Sequence, residues 1–410
     1  MSLSNSKKLQ SLTAAAIALP GIGPVQAAEE PPEDHTVALS FTRYVEDSID
    51  ASVTSTGTAV DRYEIEISQA SYRGAISDKV ALSIDYAADV MAGATPWYVR
   101  PRTALTEITD ATPVQVMSSA SILDIRRDYS VGARVYNKTS NYGGFLRYSD
   151  ENDYSAITLG MEYSKERSSK LATWLIGSEY SSDSIKPTQT AGEIERVTAE
   201  DKKSFSLYGG YTQIVNRVTS LQIGGSFTRH SGYLSDPYKK SWVFDPDTSQ
   251  QKPYQDLRPD ARNQYTLTAQ LRRYLKPRNA AVHFNYRFYF DDWELSSHTF
   301  QLRLIKSYGH HWQVIPGVRL YSQGEADFYA TYYVKGLRAD GFRSSDYRLS
   351  SFGSISASLK VIKKLEHWKL SVYVERYSSE ESLGLNSVEL SNPGLVNFTR
   401  FSFGISHILF

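Results

Sequence analysis

The chain has 410 residues, 45 basic and 45 acidic, with 41% hydrophobic and 12% aromatic residues, 29 tyrosines and no cysteine. Neutrality of this kind offers no basic face for nucleic acid, and a chain without cysteine has no disulfides, no thiolate chemistry and few of the usual zinc sites. No apolar run reaches the roughly 20 residues a membrane helix needs, so helical spanning is excluded and any crossing must be made by strands.

The N-terminus reads as an export signal: Lys7 and Lys8, an apolar stretch from Leu12 to Ile22 broken by Pro20 and Gly21, then "VQA" before Ala28. Residues 1–27 are therefore expected to be removed, residues 28–36 to form a short periplasmic segment, and residues 37–410 to form the folded body. Without the signal the chain holds 43 basic and 45 acidic residues, two negative charges in excess.

From there, segments of period-two alternation recur to the end, the pattern of strands. They run over 37–44, 62–69, 79–88, 122–136, 143–149, 154–164, 171–180 and 204–213. They continue over 219–228, 264–274, 281–290, 295–306, 312–323, 347–360, 368–377 and 398–410. About sixteen, an even number, suits a bacterial single-chain barrel. The stretch "FYATYYV", residues 328–334, leaves the count open by two, as a strand extension or as loop.

Connections alternate in length. "SYRGAIS" (71–77), "NKTS" (137–140), "KERSS" (165–169), "VNR" (215–217), "KPRN" (276–279), "SYGHH" (307–311) and "VIKKLEH" (361–367) are short and polar. In contrast, 45–61, 89–121, 181–203, 229–263, 324–346 and 378–397 are long, with only "DEND" and the Asp291–Asp292 turn brief among them. Sorting of this kind is the signature of a transmembrane barrel with short periplasmic turns and long extracellular loops. The expected fold is thus an all-β, antiparallel up-and-down barrel in the outer membrane of a Gram-negative bacterium. Its apolar face would point to lipid and its polar face to the lumen. Tyr63, Trp312, Trp368 and Tyr377 lie near strand ends and suit interfacial girdles.

With parity fixed this way, Arg272, Arg287, Arg303 and Arg319 from four consecutive strands point inward as a basic stripe. Glu64, Glu66, Asp85, Asp124, Asp128, Glu162 and Glu179 point inward from the first half, with Arg62, Arg126 and Arg134 among them. Opposite signs would then face each other across the lumen and set a transverse field on passing solutes. The competing reading is that acids and arginines pair to fill the interior. Sixteen strands leave room for an aqueous channel, but long loops can fold in as a plug.

A second acidic group, Asp236, Asp260, Asp291, Asp292, Asp327 and Asp346, falls in the outer loops. It is a candidate ligand cluster for a hard cation at the mouth, or else loop capping and pairing with Arg258, Arg262, Arg343 and Arg348. His298, near Asp291, Asp292, Ser296 and Ser297, is the best candidate base, but its parity matches Phe300 and turns it toward lipid. We therefore expect no enzyme, no resident metal and no cofactor. The final strand "FTRFSFGISHILF" ends on Phe410, resembling the terminal assembly signal of outer-membrane proteins, with a slip of parity near His407.

The strings "SGYLSDPYK", "RPDARNQY", "YFDDWELSSHTFQL", "PGVRLYSQGEADFY" and "SSDYRLSSFG", together with "ATPWYV" and "YSDENDYSAITLG", resemble a bacterial family catalogued as a domain of unknown function. Its members are exported and predicted to be outer-membrane barrels. The resemblance covers nearly all the mature chain; it implies the barrel and names no substrate. Members encoded beside a small lipoprotein, a thioredoxin-like protein and a flavin-attaching transferase imply, as an extension, an envelope redox system. Expected partners are outer-membrane lipid, the barrel-assembly machinery, and small solutes or a periplasmic lipoprotein. The leading function is a porin-like channel or transport component; the alternative is a closed scaffold that binds or sheathes a partner.

Overall fold

The computed structural model describes residues 31–409, apart from 33, 95, 104–109, 119–121, 168–170, 190–194 and 246. The signal segment and Phe410 lie outside the described residues. The strands are β1 (His35–Glu46), β2 (Glu64–Ala75), β3 (Val80–Gly93), β4 (Pro96–Thr103), β5 (Asp110–Met117), β6 (Ile122–Asn137), β7 (Ser140–Asp150), β8 (Tyr154–Glu166), β9 (Ala172–Ile185) and β10 (Glu200–Asn216). There follow β11 (Thr219–Gly232), β12 (Lys240–Asp245), β13 (Gln250–Gln255), β14 (Ala261–Leu275), β15 (Ala280–Asp291), β16 (Ser296–Tyr308), β17 (Trp312–Gln323), β18 (Phe352–Lys364), β19 (Trp368–Glu380) and β20 (Phe398–Leu409).

Sixteen of these close into one antiparallel barrel, each strand beside its neighbour in the chain, while β4–β5 and β12–β13 form two separate hairpins. Closure runs β1 against β20, from His35 opposite Leu409 to Glu46 opposite Phe398. This pairing is unbroken, so the expected slip near His407 does not occur: Ile408 faces inward, and the apparent change came from an apolar residue on the inner face. Closing the sheet removes every edge and satisfies the backbone within the strands, as a lipid environment demands.

The outer face is apolar along the whole circumference. Leu39, Ile84, Val131, Leu146, Leu159, Ile176, Leu207, Leu267, Leu302, Leu320, Val374 and Phe403 all stand exposed. A band this size would be a liability in water; it is the surface a bilayer covers. At the short-turn end stand Trp174, Trp312 and Trp368, amphipathic rings suited to a headgroup layer. Tyr63 and Tyr377 do not join them: both pack inward on the cluster of Tyr44, Ile65, Ile67, Val396 and Phe398.

At the other end the long loops fold together over the mouth. Segment 324–351 enters the barrel. Ala326, Phe328 and Leu349 pack with Tyr289, Trp293 and Leu295, and Tyr347 reaches the Tyr44–Phe398 cluster. The segment is tied to the β12–β13 hairpin by backbone bonds from Tyr333 N–H to Trp242 carbonyl (2.9 Å) and from Phe244 N–H to Tyr333 carbonyl (2.7 Å). Val99 of the β4–β5 hairpin packs against Trp242, Phe244 and Tyr332. "FYATYYV" is therefore loop: among the described residues its strand-like pairing is limited to isolated bridges at Tyr329 and Tyr333, and its aromatic side chains do the packing.

Candidate functional site

Directly paired residues in an antiparallel sheet share a face, so register assigns each side chain. Arg272 pairs with His283, which pairs with Arg303; Arg303 pairs with Gly317 and Gln301 with Arg319; Arg287 pairs with Thr268 and Thr299. All four arginines lie on the inner face, in two repelling pairs, Arg272 with Arg303 and Arg287 with Arg319. None forms an ion pair among the described residues. Arg272 donates instead to the Gln270 amide oxygen at 3.3 Å, and the Arg303 Nε is buried with no hydrogen-bond partner.

The opposite wall is built differently. Asp85 receives Arg73 at 3.0 Å, Asp128 receives Arg147 at 2.8 Å, Glu162 receives Arg134 at 2.6 Å, and Asp183 receives Lys202 at 2.8 Å. Asp89 pairs with Arg126. Glu179 faces inward opposite Gly160 and Ser206, and Asp124 accepts from the Asn152 amide at 2.9 Å. The acids of this wall are thus largely matched by their own neighbours, rather than held opposite the Arg272–Arg319 stripe.

Glu64 and Glu66 are a correction: they face outward. Ile65 and Ile67, each 3% exposed, take the inner side beneath the folded loops, and Glu64 pairs with Arg43 at 2.5 Å on the outer rim. The alternation of "EIEI" was legible, but its sense is inverted here. At the mouth the interior is packed protein rather than water, so the apolar residues turn inward.

The six loop aspartates do not assemble into one ligand site. Asp236 and Asp346 share Arg348, at 2.6 Å for Asp236 and 2.8 Å from Arg348 Nε to Asp346. Arg258 bridges Asp346 (3.0 Å) to Asp256 (2.6 Å). Asp291 takes the Arg262 Nε at 2.9 Å and caps the backbone N–H groups of Trp293 and Leu295. Asp292 accepts from Asn263 at 2.7 Å and Asp327 from Arg338 at 2.8 Å. Asp260 lines an open cleft of about 570 Å³ with Lys186, Glu200 and Tyr233. The expected pairing with Arg258, Arg262 and Arg348 describes Asp236, Asp291 and Asp346, whereas Asp327 pairs with Arg338, outside the expected set. Arg343 departs from it, donating to the Gly341 carbonyl and lying over Tyr254.

Sequence reasoning missed the coherence of this cap. Burial pushes the Asp346 carboxyl up, but the charges of Arg348, Lys239 and Arg258 outweigh it and hold the group far below the usual carboxylate range. Burial lowers Lys239 despite Asp346 beside it; its ammonium donates to the Pro96 carbonyl and lies over Tyr347. Arg62 completes the set, bonded to Glu46 at 2.7 Å and to the Gly394 carbonyl at 2.9 Å. The signal available in sequence was the density of Asp, Arg and aromatic residues in 324–351.

One group of three carboxylates does converge, Asp124, Glu151 and Asp153, at the loop end of β6 and β8. Burial pushes Glu151 up to about 7, opposed by Arg126 and reinforced by Asp124 and Asp153. His298 stands on the outer face against Tyr286 and Phe288, bonded to the Tyr286 hydroxyl at 2.9 Å, and away from the inward Asp291.

The chain belongs to the family described as protein of unknown function (DUF3570), whose model matches residues 9–405. No curated protein matches the sequence. Among solved structures, CdiB from Acinetobacter baumannii is similar with a TM-score of 0.50 at 8% identity, over 91% of this chain and 60% of that one. A bacterial polysaccharide outer membrane secretin gives 0.48 at 10%, over 92% of this chain and 99% of that one. The siderophore receptor PirA from Pseudomonas aeruginosa gives 0.44 at 10%, over 92% of this chain and 62% of the receptor. Likeness at such identity shows the fold, that of an outer-membrane β-barrel, and nothing finer.

Proposed function

We propose that this DUF3570 member is an outer-membrane channel or transport component for anionic solutes, whose outer mouth its own loop 324–351 closes. The observation that carries the reading is the charge imbalance of the inner face: Arg272, Arg287, Arg303 and Arg319 without carboxylate partners, against acids that are largely neutralised locally. Unmatched cations in a confined aqueous path favour anions. The N-terminal export signal, the outer-membrane location and the porin-like role belong to the same reading.

The test is conductance of the folded chain in a planar bilayer under a salt gradient, beside a variant in which residues 325–350 are replaced by a short Gly-Ser linker. The intact chain should conduct weakly, the variant severalfold more, with a reversal potential of the anion-selective sign. Glutamine at all four arginines should move that potential toward cation selectivity; an unmoved potential overturns the assignment. The packing of segment 324–351 into the mouth also favours a closed scaffold that binds a partner through its loops, including 89–121 and 229–263. Under that reading the intact chain is silent, and the shortened variant conducts with a selectivity that the four arginine substitutions do not move.

A further inference from the structure

The inner cations are not spread evenly along the barrel. Arg272, His283 and Arg303 form one cross-strand row, with neighbouring strands about 4.8 Å apart. The row sits near the short-turn ends of β14 and β16. Lys360 of β18 and Lys369 of β19 continue it: Lys360 lies close enough to Arg303 and Lys369 to feel their charge. Gly317, between Arg303 and Ser358, leaves the space the Arg303 side chain occupies; a Cβ there would stand 3.2 Å from Arg303 Cγ and 2.8 Å from Ser358 Oγ. The nearest carboxylate on β19, Glu375, is already taken by Arg400.

The turns below carry the same sign. Lys276 and Arg278 follow β14, Lys306 closes β16, and Lys363 and Lys364 close β18. Across the turns joining β14 to β15, β16 to β17 and β18 to β19, Glu366 is the only acid. The Arg303 Nε is buried and has no hydrogen-bond acceptor among the described residues. With the other end filled by packed loops, the basin opens toward the short turns.

We propose that Arg272, Arg303 and Lys360, flanked by His283 and Lys369, bind a small solute carrying at least two negative charges on oxygen, received from the periplasmic side. A guanidinium presents parallel N–H donors that match carboxylate and phosphate oxygens alike. Two arginines separated by one intervening strand, their backbones about 10 Å apart, suit a solute with two such groups. The inference deepens the channel reading, since it uses the same inner wall, but it does not require conduction.

The experiment is calorimetric titration of the full folded chain in detergent with pyrophosphate and, separately, with succinate, folding being monitored by heat-modifiable gel mobility. Binding of either dianion is expected, and the stronger arm names the oxyanion. Arg272→Gln/Arg303→Gln/Lys360→Gln should weaken it at least tenfold. Arg303→Lys, which keeps the charge but loses the parallel donors, should weaken it by less than the triple variant but measurably, and Arg134→Gln/Glu162→Gln on the matched wall should leave it unchanged. No binding to the folded chain, or equal binding by the triple variant, overturns the basin. Chloride competing at equal concentration overturns the preference for dianions. Binding by a chain that never conducts keeps the basin and removes the channel; anion-selective conductance without binding does the reverse.

Discussion

Between β3 and β10 the inner wall sets most of its carboxylates against an arginine or lysine one or two strands away, whereas between β14 and β17 four arginines face inward with no carboxylate partner among the described residues. Both walls are cut from the same alternating pattern and both lie behind the same apolar exterior. The first is largely charge-matched. The second is destabilised by its charges: each pair of like charges raises the energy of the folded chain, and a fold keeps such strain where a ligand or a field relieves it. On the channel reading proposed above, the difference assigns contact with the solute to the second wall.

The largest expected effect tests the cap that separates both walls from the outside. Asp346→Asn removes the carboxylate that Arg348 and Arg258 share and leaves each a single acidic partner, Asp236 and Asp256; the cost lies below that of stranding a fully buried charge, about 3–5 kcal/mol. Limited proteolysis should then cut segment 324–351 while the barrel stays resistant, and conductance should rise. Leu295, which is fully buried beside Leu349, offers an uncharged comparison: Leu295→Ala should cost about 2–5 kcal/mol and loosen the same segment.

A smaller effect is expected on the matched wall. Glu162→Gln strands Arg134 and should shift the reversal potential toward anions, while Glu162→Gln with Arg134→Gln should restore it. If the double substitution behaves like the single one, the two do not act as a pair and the contrast between the walls fails.

The acidic corner supplies a pH test. Glu151 titrates near 7 in the fold and near 4.3 when unfolded, so its protonated form favours the fold. That contribution is complete below the unfolded value and is lost as pH rises through about 7. Protection factors of the amides in the turn 151–153, exchange rates taken relative to the intrinsic base-catalysed rate at each pH, should therefore be lower at pH 8.5 than at pH 5.5, and Glu151→Gln should remove the difference. Smallest of all, Glu64→Gln breaks only an exposed pair with Arg43; such pairs contribute about 0–1 kcal/mol, and neither melting nor selectivity should move measurably.

The barrel was legible because lipid imposes a simple rule: alternate residues on every strand must be apolar, and the rule repeats until the sheet closes. Period two, an even number of segments and the sorting of loop lengths were enough to find all sixteen wall strands. They also put Arg272, Arg287, Arg303 and Arg319 on one face. Alternation carries no sign of its own, however. Ile65 and Ile67 obey the same period as Ile157 and Leu159, yet they face the opposite way, because what lies inside the barrel at their height is folded loop and not water.

What the sequence by itself determined, then, is the set of interactions that are local or repeated: strand length, alternation, turn chemistry and the count of charges on each face. Only the tertiary structure decided which charges find one another. Asp346 meets Arg258 across 88 residues and Arg62 meets the Gly394 carbonyl across 332. Whether a carboxylate is matched or an arginine left alone depends on cross-strand distances of a few ångströms that no period in the chain encodes.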